Sequence, residues 1–238
     1  MNRLIIDNLT IGYRNKVIAG PLDGQLRGRE LVCVIGRNGL GKSTFLRTLA
    51  GLQPPLSGDV RWQDGDSTVS CRSLSKEELA RVFSVVLTEQ PDEVNLSVHD
   101  VVAMGRMPYT GFFGNLGKDD EAMVERALRL TGMSAFASSG ISTLSDGERQ
   151  KVMIARAIAQ HTPVMLLDEP TAFLDYESKK TTMAMLHAIA TDMDKLVVVS
   201  THDIDIALRH ADRFVTIGGD GLRDLAKADV ERMTGAMG

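Results

Sequence analysis

Gly36-Arg37-Asn38-Gly39-Leu40-Gly41-Lys42-Ser43-Thr44 is the stretch that decides the fold of this chain, because it matches the pattern G-x-x-x-x-G-K-[ST]. The apolar run Leu31-Val32-Cys33-Val34-Ile35 precedes it, and a helical stretch that ends near Gly51 follows it. Glycines let successive backbone N–H groups point inward, and the helix start and the Lys42 ammonium add positive charge. The stretch therefore predicts a loop that binds the β- and γ-phosphates of a nucleotide, with Mg²⁺ held by the Ser43 hydroxyl.

Size and composition exclude several classes of protein. The chain has 238 residues, enough to bury a full hydrophobic core in one α/β domain. Its 27 basic and 31 acidic side chains give a net charge of −4, so we expect no nucleic-acid partner. No apolar run approaches the ~18–20 residues of a membrane-spanning helix, and residues 1–7 lack a signal-peptide core. We expect a cytoplasmic protein whose two cysteines, Cys33 and Cys71, stay reduced.

Short β-favouring runs alternate with helical patterns along most of the chain. The patterns predict strands at residues 4–6, 9–11, 31–35, 59–62, 83–87, 164–167, 196–199 and 214–217. They predict helices after the glycine loop and at residues 75–81, 97–104, 119–130, 145–160, 179–189 and 204–210. Alternation of this kind is typical of an α/β fold with a mainly parallel sheet between helices.

The middle of the chain differs from the rest, because residues 91–139 show helical patterns without a clear strand. We interpret this stretch as part of a separate helical lobe. The prediction is a single domain over residues 1–238, with a core lobe at about 1–90 and 160–218 and a helical lobe at about 91–159. After Gly218 we expect only a short polar tail, residues 219–238.

Two carboxylates follow the apolar run Val164-Met165-Leu166-Leu167, at the end of a predicted buried strand. Asp168 is suited to hold Mg²⁺ there, because a hard cation prefers oxygen ligands and keeps part of its hydration. Glu169 could then orient and deprotonate the water that attacks a γ-phosphate. Taken alone, the pair is equally compatible with an ordinary strand-to-turn boundary before Pro170.

Leu144-Ser145-Asp146-Gly147-Glu148 opens another helical pattern, which runs to about Gln160. Ser145 with Glu148 three residues later is a capping box, and a helix N-terminus is also an anion site. Placed between the glycine loop and the Asp168-Glu169 pair, this Leu-Ser-x-Gly-Glu run resembles the signature sequence of the ATP-binding cassette ATPases.

The resemblance covers nearly the whole chain and implies the fold class of that family. It implies an α/β, P-loop NTPase (RecA-like) core with a mainly parallel sheet, a small antiparallel β subdomain and a helical lobe that carries the signature motif. ATP and Mg²⁺ are the implied cofactors. Residues 36–44 would be the Walker A loop and Asp168-Glu169 the Walker B pair, with Ser43 and Asp168 as metal ligands and Glu169 as the catalytic base.

Further roles are implied residue by residue. Tyr13 stands in the place of the aromatic that stacks on adenine, and His202 in that of the switch histidine that touches the γ-phosphate. Ser145 and Gly147 would contact ATP, and Leu174-Asp175 would form the D-loop. Each of these residues alone also fits a plain structural role, Tyr13 as a strand aromatic, Asp175 as a helix cap and His202 as a turn histidine.

The sequence departs from the family pattern in two places. The signature has Asp146 where a second glycine is usual, and we expect its side chain to point away from the phosphate. The family's Q-loop glutamine has no direct match, because an ungapped count places Thr88 in that slot and Gln90 two residues later. A short local shift would let Gln90 contact the nucleotide, so both alternatives stay open.

The segment from Leu96 to Tyr109, which ends in Val101-Val102-Ala103-Met104-Gly105-Arg106-Met107-Pro108-Tyr109, is the most informative about what is transported. It resembles a Val-x-x-Met-Gly-Arg-x-Pro run in ATPase subunits that drive import of iron-siderophore, haem and cobalamin chelates. Zinc and manganese importers share part of this run and remain an alternative. The segment is also a plain amphipathic helix pattern.

The resemblance also implies an assembly. The chain would be the ATP-hydrolysing subunit of a chelate importer, a head-to-tail homodimer with each ATP between the Walker A loop of one subunit and Ser145 of the other. It would lie on the inner face of the cell membrane under a polytopic permease, and would serve a periplasmic or surface binding protein indirectly. The alternative from another class is a soluble cassette ATPase of DNA repair or translation. Those proteins carry long coiled-coil insertions or two cassettes, and 238 residues hold neither.

Overall fold

The computed structural model describes residues 2–14, 16–87, 95–111, 115–218 and 221–235, which form ten strands and eight α-helices. The strands are β1 (Arg3–Tyr13), β2 (Lys16–Arg27), β3 (Leu31–Ile35), β4 (Ser57–Asp64), β5 (Ser67–Ser70), β6 (Phe83–Val86), β7 (Val164–Asp168), β8 (Leu196–Thr201), β9 (Arg213–Gly218) and β10 (Gly221–Leu225). The helices are α1 (Lys42–Leu49), α2 (Lys76–Val82), α3 (Val98–Ala103), α4 (Lys118–Leu130), α5 (Asp146–Ala159), α6 (Tyr176–Asp192), α7 (Ile204–His210) and α8 (Lys227–Gly235).

A mainly parallel sheet forms the centre of the molecule, as the alternating pattern predicted. Its strand order is β10-β9-β3-β8-β7-β6, and only the β10–β9 pair is antiparallel. The carboxyl ends of neighbouring parallel strands meet at one edge of such a sheet. Ile35 pairs with Thr201 and Asp168 with Ser200, so the segments that follow β3, β7 and β8 emerge side by side.

The second sheet is antiparallel, with the order β2-β1-β4-β5. The sequence predicted two short strands at residues 4–6 and 9–11, which is wrong, because β1 runs unbroken from Arg3 to Tyr13. The apparent break is an irregularity within the strand. The register with β2 shifts between Ile6 and Leu9, and Asn8 has a φ of 46°, a left-handed conformation that asparagine tolerates better than most residues.

The parallel sheet separates two hydrophobic cores. Successive residues of a strand face opposite sides, so Val32 and Val34 pack with α1 and the antiparallel sheet while Cys33 and Ile35 face the helices of the other layer. Neither cysteine forms a disulfide, as predicted, and both are buried, which raises the pKa of each thiol to about 12. These thiols therefore stay protonated.

Helices α3, α4 and α5 pack against one another beside the central sheet. Capping boxes at Ser97 and Ser145 begin α3 and α5, and the one at Ser145 was predicted. Gly105 allows a close approach between the end of α3 and α5, because a Cβ there would lie 2.3 Å from the carbonyl oxygen of Arg156. The next residue, Arg106, is buried and donates to Ala159 O and Asp120 Oδ1. The Met-Gly-Arg run thus has a packing role.

The residues after Gly218 are more than the expected short polar tail. Strand β10 extends the central sheet and α8 packs against α7, with Val230 completely buried. The sequence did not predict these two elements, because it has few apolar positions here and β10 and α8 depend on contacts with neighbouring elements.

Of the helices in the described residues, none combines the length and the hydropathy needed to cross a bilayer.

Candidate active site

The glycine loop links the end of β3 to the start of α1, as its sequence predicted. Gly39 and Gly41 have φ angles of 81° and 97°, which residues with a Cβ rarely adopt. A Cβ on Gly41 would also lie 2.4 Å from Ile18 Cγ2. Gly41 is the N-cap of α1, and the first-turn N–H groups of a helix bind anions.

Lys42 closes this loop. Its side chain is buried, and Nζ donates to Gly36 O at 2.8 Å and to Arg37 O at 3.4 Å. The ammonium is therefore held inside the turn that the glycines form. It supplies a full positive charge where phosphate oxygens are expected.

Tyr13 lies beside the loop although it precedes the loop by more than twenty residues. Strand β1 ends at Tyr13, and the Thr44 hydroxyl donates to Tyr13 Oη over 3.2 Å. Tyr13 is half exposed, so part of the residue is accessible to a bound nucleotide. The arrangement fits the prediction that Tyr13 contacts the base of a nucleotide bound at the loop.

Asp168 ends β7 and is buried at the edge of the sheet. Ser200 of the neighbouring strand β8 donates to Asp168 Oδ1 at 2.5 Å, and the backbone N–H of Glu169 donates to the Ser200 carbonyl at 3.1 Å. Sequence reasoning missed Ser200. A serine in the otherwise apolar β8 run was the available signal, because a buried hydroxyl needs a hydrogen-bond partner.

Glu169 and His202 form a pair across the ends of β7 and β8. Glu169 Oε2 lies 2.8 Å from His202 Nδ1, and the Glu169 side chain is far less exposed than that of His202, 16% against 56%. Burial raises the pKa of Glu169, and the nearby His202 and Lys42 act in the opposite direction. Glu169 has a φ of 50°, a conformation that is uncommon for residues with a side chain and is often found at functional sites.

The signature residues form a helix start. Ser145 Oγ accepts from the Glu148 N–H, and Glu148 Oε2 accepts from the Ser145 N–H, so the capping box begins α5. The Ser145 hydroxyl also donates to Glu148 Oε2, and the hydroxyl and the N–H of Ser145 together hold the pKa of Glu148 below its usual value. Asp146 pairs with Arg149 one turn along the same helix. In the described part of the chain, no hydrogen bond joins Ser145 or Gly147 to the glycine loop.

Gly147 lies against the predicted D-loop, where a Cβ would be 3.1 Å from Leu174 Cδ2. Asp175 is the N-cap of α6 and accepts from the Ser178 N–H, which is the structural role that the sequence also allowed. Thr88 and Gln90, the two candidates for the Q-loop, lie outside the described residues.

Three further polar residues near the site were not found from the sequence. Asp203 directly follows His202 and binds Thr171 and Lys179. These three residues lie in the sequence between or beyond the recognised motifs, so no motif marked them. Only the fold brings them together.

The sequence is similar to known proteins over most of its length. A sequence model of the ABC transporter family matches residues 20–172, which include the glycine loop, the signature and the Asp168-Glu169 pair. The chain belongs to the ABC transporter family. An uncharacterized ABC transporter ATP-binding protein of Methanocaldococcus jannaschii is 39% identical, with 89% of this chain and 71% of that protein covered.

Two relatives carry more specific names. A cobalamin import ATP-binding protein of Halobacterium salinarum is 37% identical, and the match covers 93% of this chain and 54% of that protein. An achromobactin transport ATP-binding protein of Dickeya dadantii is 36% identical, with 91% of this chain and 79% of that protein covered. This ABC cassette therefore spans about half of the first protein and most of the second.

Solved structures agree with the assignment. A metal-chelate type ABC transporter in an inward-facing conformation has a TM-score of 0.80 and 25% identity, with 96% of this chain and 84% of that chain covered. A dimeric ATP-binding cassette in a post-hydrolysis state with ADP and phosphate has a TM-score of 0.79 and 25% identity, with 95% and 99% covered. The predicted P-loop NTPase core is confirmed, and the cassette is an ATP-binding ATPase.

Proposed function

We propose that this cassette is the ATP-hydrolysing subunit that energises a membrane permease for a metal chelate of the iron-siderophore, haem or cobalamin class. The observation that carries the hydrolytic part is the Glu169–His202 pair at the sheet edge beside the glycine loop. The names of the cobalamin and achromobactin relatives support the chelate class. The cassette would be a cytoplasmic protein, peripheral on the inner face of the cell membrane, and periplasmic or surface binding proteins would deliver the chelate.

Each residue of the site would have a distinct role in ATP hydrolysis. The loop N–H groups and Lys42 bind the β- and γ-phosphates, and Tyr13 stacks on adenine. Glu169 accepts a proton from water while the water oxygen bonds to the γ-phosphorus and the bond to the ADP oxygen breaks. ADP and phosphate are released. A raised pKa suits Glu169 to this role, because a general base works best when its pKa is near the operating pH.

His202 would contact the γ-phosphate. Its Nδ1 contacts Glu169, so Nε2 is the ring nitrogen that would contact the γ-phosphate. A hydrogen bond from this nitrogen would stabilise the negative charge of the transferring phosphoryl group.

A magnesium ion fits the donor set of this site. Ser43 offers a hydroxyl and Asp168 a buried carboxylate, and Mg²⁺ bound to a nucleotide needs only one or two protein oxygens besides phosphate and water. When bound, the ion would neutralise charge on the phosphate oxygens. The Ser200 hydroxyl orients the Asp168 carboxylate for this role.

A second copy of the cassette would complete the nucleotide site. In the family that the chain belongs to, the signature helix start of one subunit faces the glycine loop of the other, so each ATP would lie between the glycine loop of one cassette and Ser145 of the second. A head-to-tail homodimer provides this arrangement. The dimeric relative with ADP and phosphate supports it.

A groove in the cassette offers a surface for the permease. It has a volume of about 860 Å³ and lies between α2 and β6 on one side and α5 on the other, with Leu52, Leu79 and Met153 among its lining residues. Leu52 is 60% exposed, so an apolar segment of a partner would cover surface that water now contacts.

Reconstitution tests the proposed function. The cassette, purified from solubilised membranes of its own host, should bring a polytopic permease with it. In proteoliposomes the complex should hydrolyse ATP faster when a binding protein loaded with ferric siderophore, haem or cobalamin is present, and Lys42→Ala should abolish the increase. An ATPase rate that no chelate changes contradicts the substrate class. Recovery of the cassette without any permease contradicts the transport role.

A further inference from the structure

The carboxylate of Asp203 joins three segments around the catalytic pair. Lys179 of α6 donates from Nζ to Asp203 Oδ1 at 2.8 Å, and the Thr171 hydroxyl donates to Asp203 Oδ2 at 2.8 Å. Both carboxylate oxygens therefore have a partner from a different segment. The side chains of Lys179 and Asp203 are only 19% and 17% exposed, and Thr171 is fully buried.

Asp203 is covalently next to His202, so whatever fixes Asp203 also fixes the backbone that carries the His202 ring. The Asp203 N–H donates to Thr201 Oγ1 at 3.0 Å, and the Ile204 N–H donates to the His202 carbonyl at 2.9 Å. The His202 ring itself is more than half exposed. Its direction toward Glu169 therefore depends on this short backbone segment more than on packing around the ring.

Lys179 supplies the strongest contact in this arrangement. A hydrogen bond between two charged groups is stronger than one between neutral groups, and it gains further where water is largely excluded. Removing the lysine would leave the Asp203 charge poorly solvated and held by one hydroxyl only. The carboxylate would then rotate toward solvent, and the His202 backbone would move with it.

We propose that Lys179 is a positioning residue for His202, acting through Asp203 to hold the histidine ring against Glu169. This inference rests on the proposed function, because it takes His202 and Glu169 to be the hydrolytic pair. In this role Lys179 would act from outside the reacting groups, because its ammonium is bound to Asp203. Its loss should therefore lower turnover and leave ATP affinity nearly unchanged.

Three variants test the role of Lys179. Lys179→Met keeps the apolar stem and removes the charge, Lys179→Arg keeps a charge, and Lys180→Met is the control, since Lys180 pairs with Glu177 within α6 instead. We expect Lys179→Met to lower kcat by ~10- to ~100-fold, the range that a displacement of about 1 Å can cause. The KM for ATP should stay within about 2-fold, Arg should restore most of the rate, and Lys180→Met should match the wild type.

The His202→Ala background separates positioning from a general structural effect. If Lys179 acts through His202, Lys179→Met should add less than about a 2-fold loss once the histidine is gone. Thr171→Val, which removes only a hydroxyl, gives a second variant with a smaller kcat loss that should also vanish in this background. Thermal melting confirms that each variant is folded.

The outcomes distinguish failure of the positioning role of Lys179 from failure of the Glu169–His202 pair. Wild-type turnover in Lys179→Met and Thr171→Val, or losses that multiply fully in His202→Ala, would overturn the positioning role while the hydrolytic pair stands. Wild-type turnover in His202→Ala itself would overturn the assignment of the pair, and the positioning role with it.

Discussion

The ammonium of Lys42 is held by carbonyl oxygens of its own loop, so its position is set before any nucleotide binds. Lys42→Ala removes the buried ammonium that the loop holds for the phosphates, and leaves the exposed Arg37 in place. We expect ATP affinity to fall at least about 10-fold, since hydrogen bonds to charged groups are worth roughly 1.5–3 kcal/mol. Titration calorimetry with ATP checks this, with Lys42→Arg as the charge-conserving comparison. Near wild-type affinity in the alanine variant would remove the glycine loop from nucleotide binding.

The ring and the hydroxyl of Tyr13 can be tested separately for their contributions to nucleotide binding. Tyr13→Ala should weaken ATP binding by roughly 1–3 kcal/mol, the usual value for a base that stacks on an aromatic side chain. It should weaken GTP binding equally, because every base has a π-face. Tyr13→Phe keeps the ring and loses only the contact with Thr44, so it should bind ATP nearly as the wild type does. An alanine variant with unchanged affinity for both nucleotides would exclude stacking.

Single residues of the site were predictable from motif order, but their contacts were not. Glu169 and His202 are more than thirty residues apart, and only the adjacent ends of β7 and β8 place them 2.8 Å from each other. Ser200, Asp203 and Lys179 carry no motif at all. Their roles depend on side-chain directions that a one-dimensional pattern does not contain.

At the scale of elements, a buried lysine lies just before the central strand β8. Lys195 precedes β8, is almost fully buried and donates to the Thr162 carbonyl, and burial lowers the pKa of Lys195 from 10.5 to about 8. The unfolded chain therefore binds a proton that the folded chain lacks between these two pH values. Stability from this group is complete above pH 10.5 and is lost as the pH falls through 8.

The comparison of wild type with Lys195→Met measures this effect. From pH 8 to pH 10 the free energy of unfolding of the wild type should rise relative to the variant, by at most about 1.4 kcal/mol per pH unit. Urea unfolding at a series of pH values gives the difference. Lys227→Met, which removes an exposed lysine, should run parallel to the wild type. If the difference in the free energy of unfolding between the wild type and Lys195→Met did not change with pH, the lowered pKa of Lys195 would be contradicted.

Elements with a strong local pattern were predicted well, and elements that depend on neighbours were not. Apolar runs gave β3, β7 and β8, and spacing gave α4 and α7 almost to the residue. Strand β2 was missed because Gly20, Pro21 and Gly24 interrupt its pattern, although it forms an edge of the antiparallel sheet. Proline is tolerated on such an edge, where its missing N–H faces no partner strand.

At the scale of the whole molecule, the central claim is that two cassettes close around ATP and that Glu169 opens them by hydrolysis. Glu169→Gln keeps the shape of the side chain and removes the basic oxygen. Turnover should fall by at least ~10²-fold, the lower range for general acid–base catalysis. Binding should survive, because the amide also removes a negative charge near the γ-phosphate. Glu177→Gln, an exposed glutamate of α6, is the matched control and should hydrolyse ATP normally.

Light scattering after gel filtration in ATP, together with the ATPase rate, tests this claim most directly. The account predicts that Glu169→Gln is an inactive dimer, while the wild type and Glu177→Gln return to monomer once the ATP is hydrolysed. An inactive Glu169→Gln that stays monomeric with ATP bound would leave the catalytic role and contradict the two-subunit site. A Glu169→Gln variant that hydrolyses ATP at the wild-type rate would contradict the central claim itself.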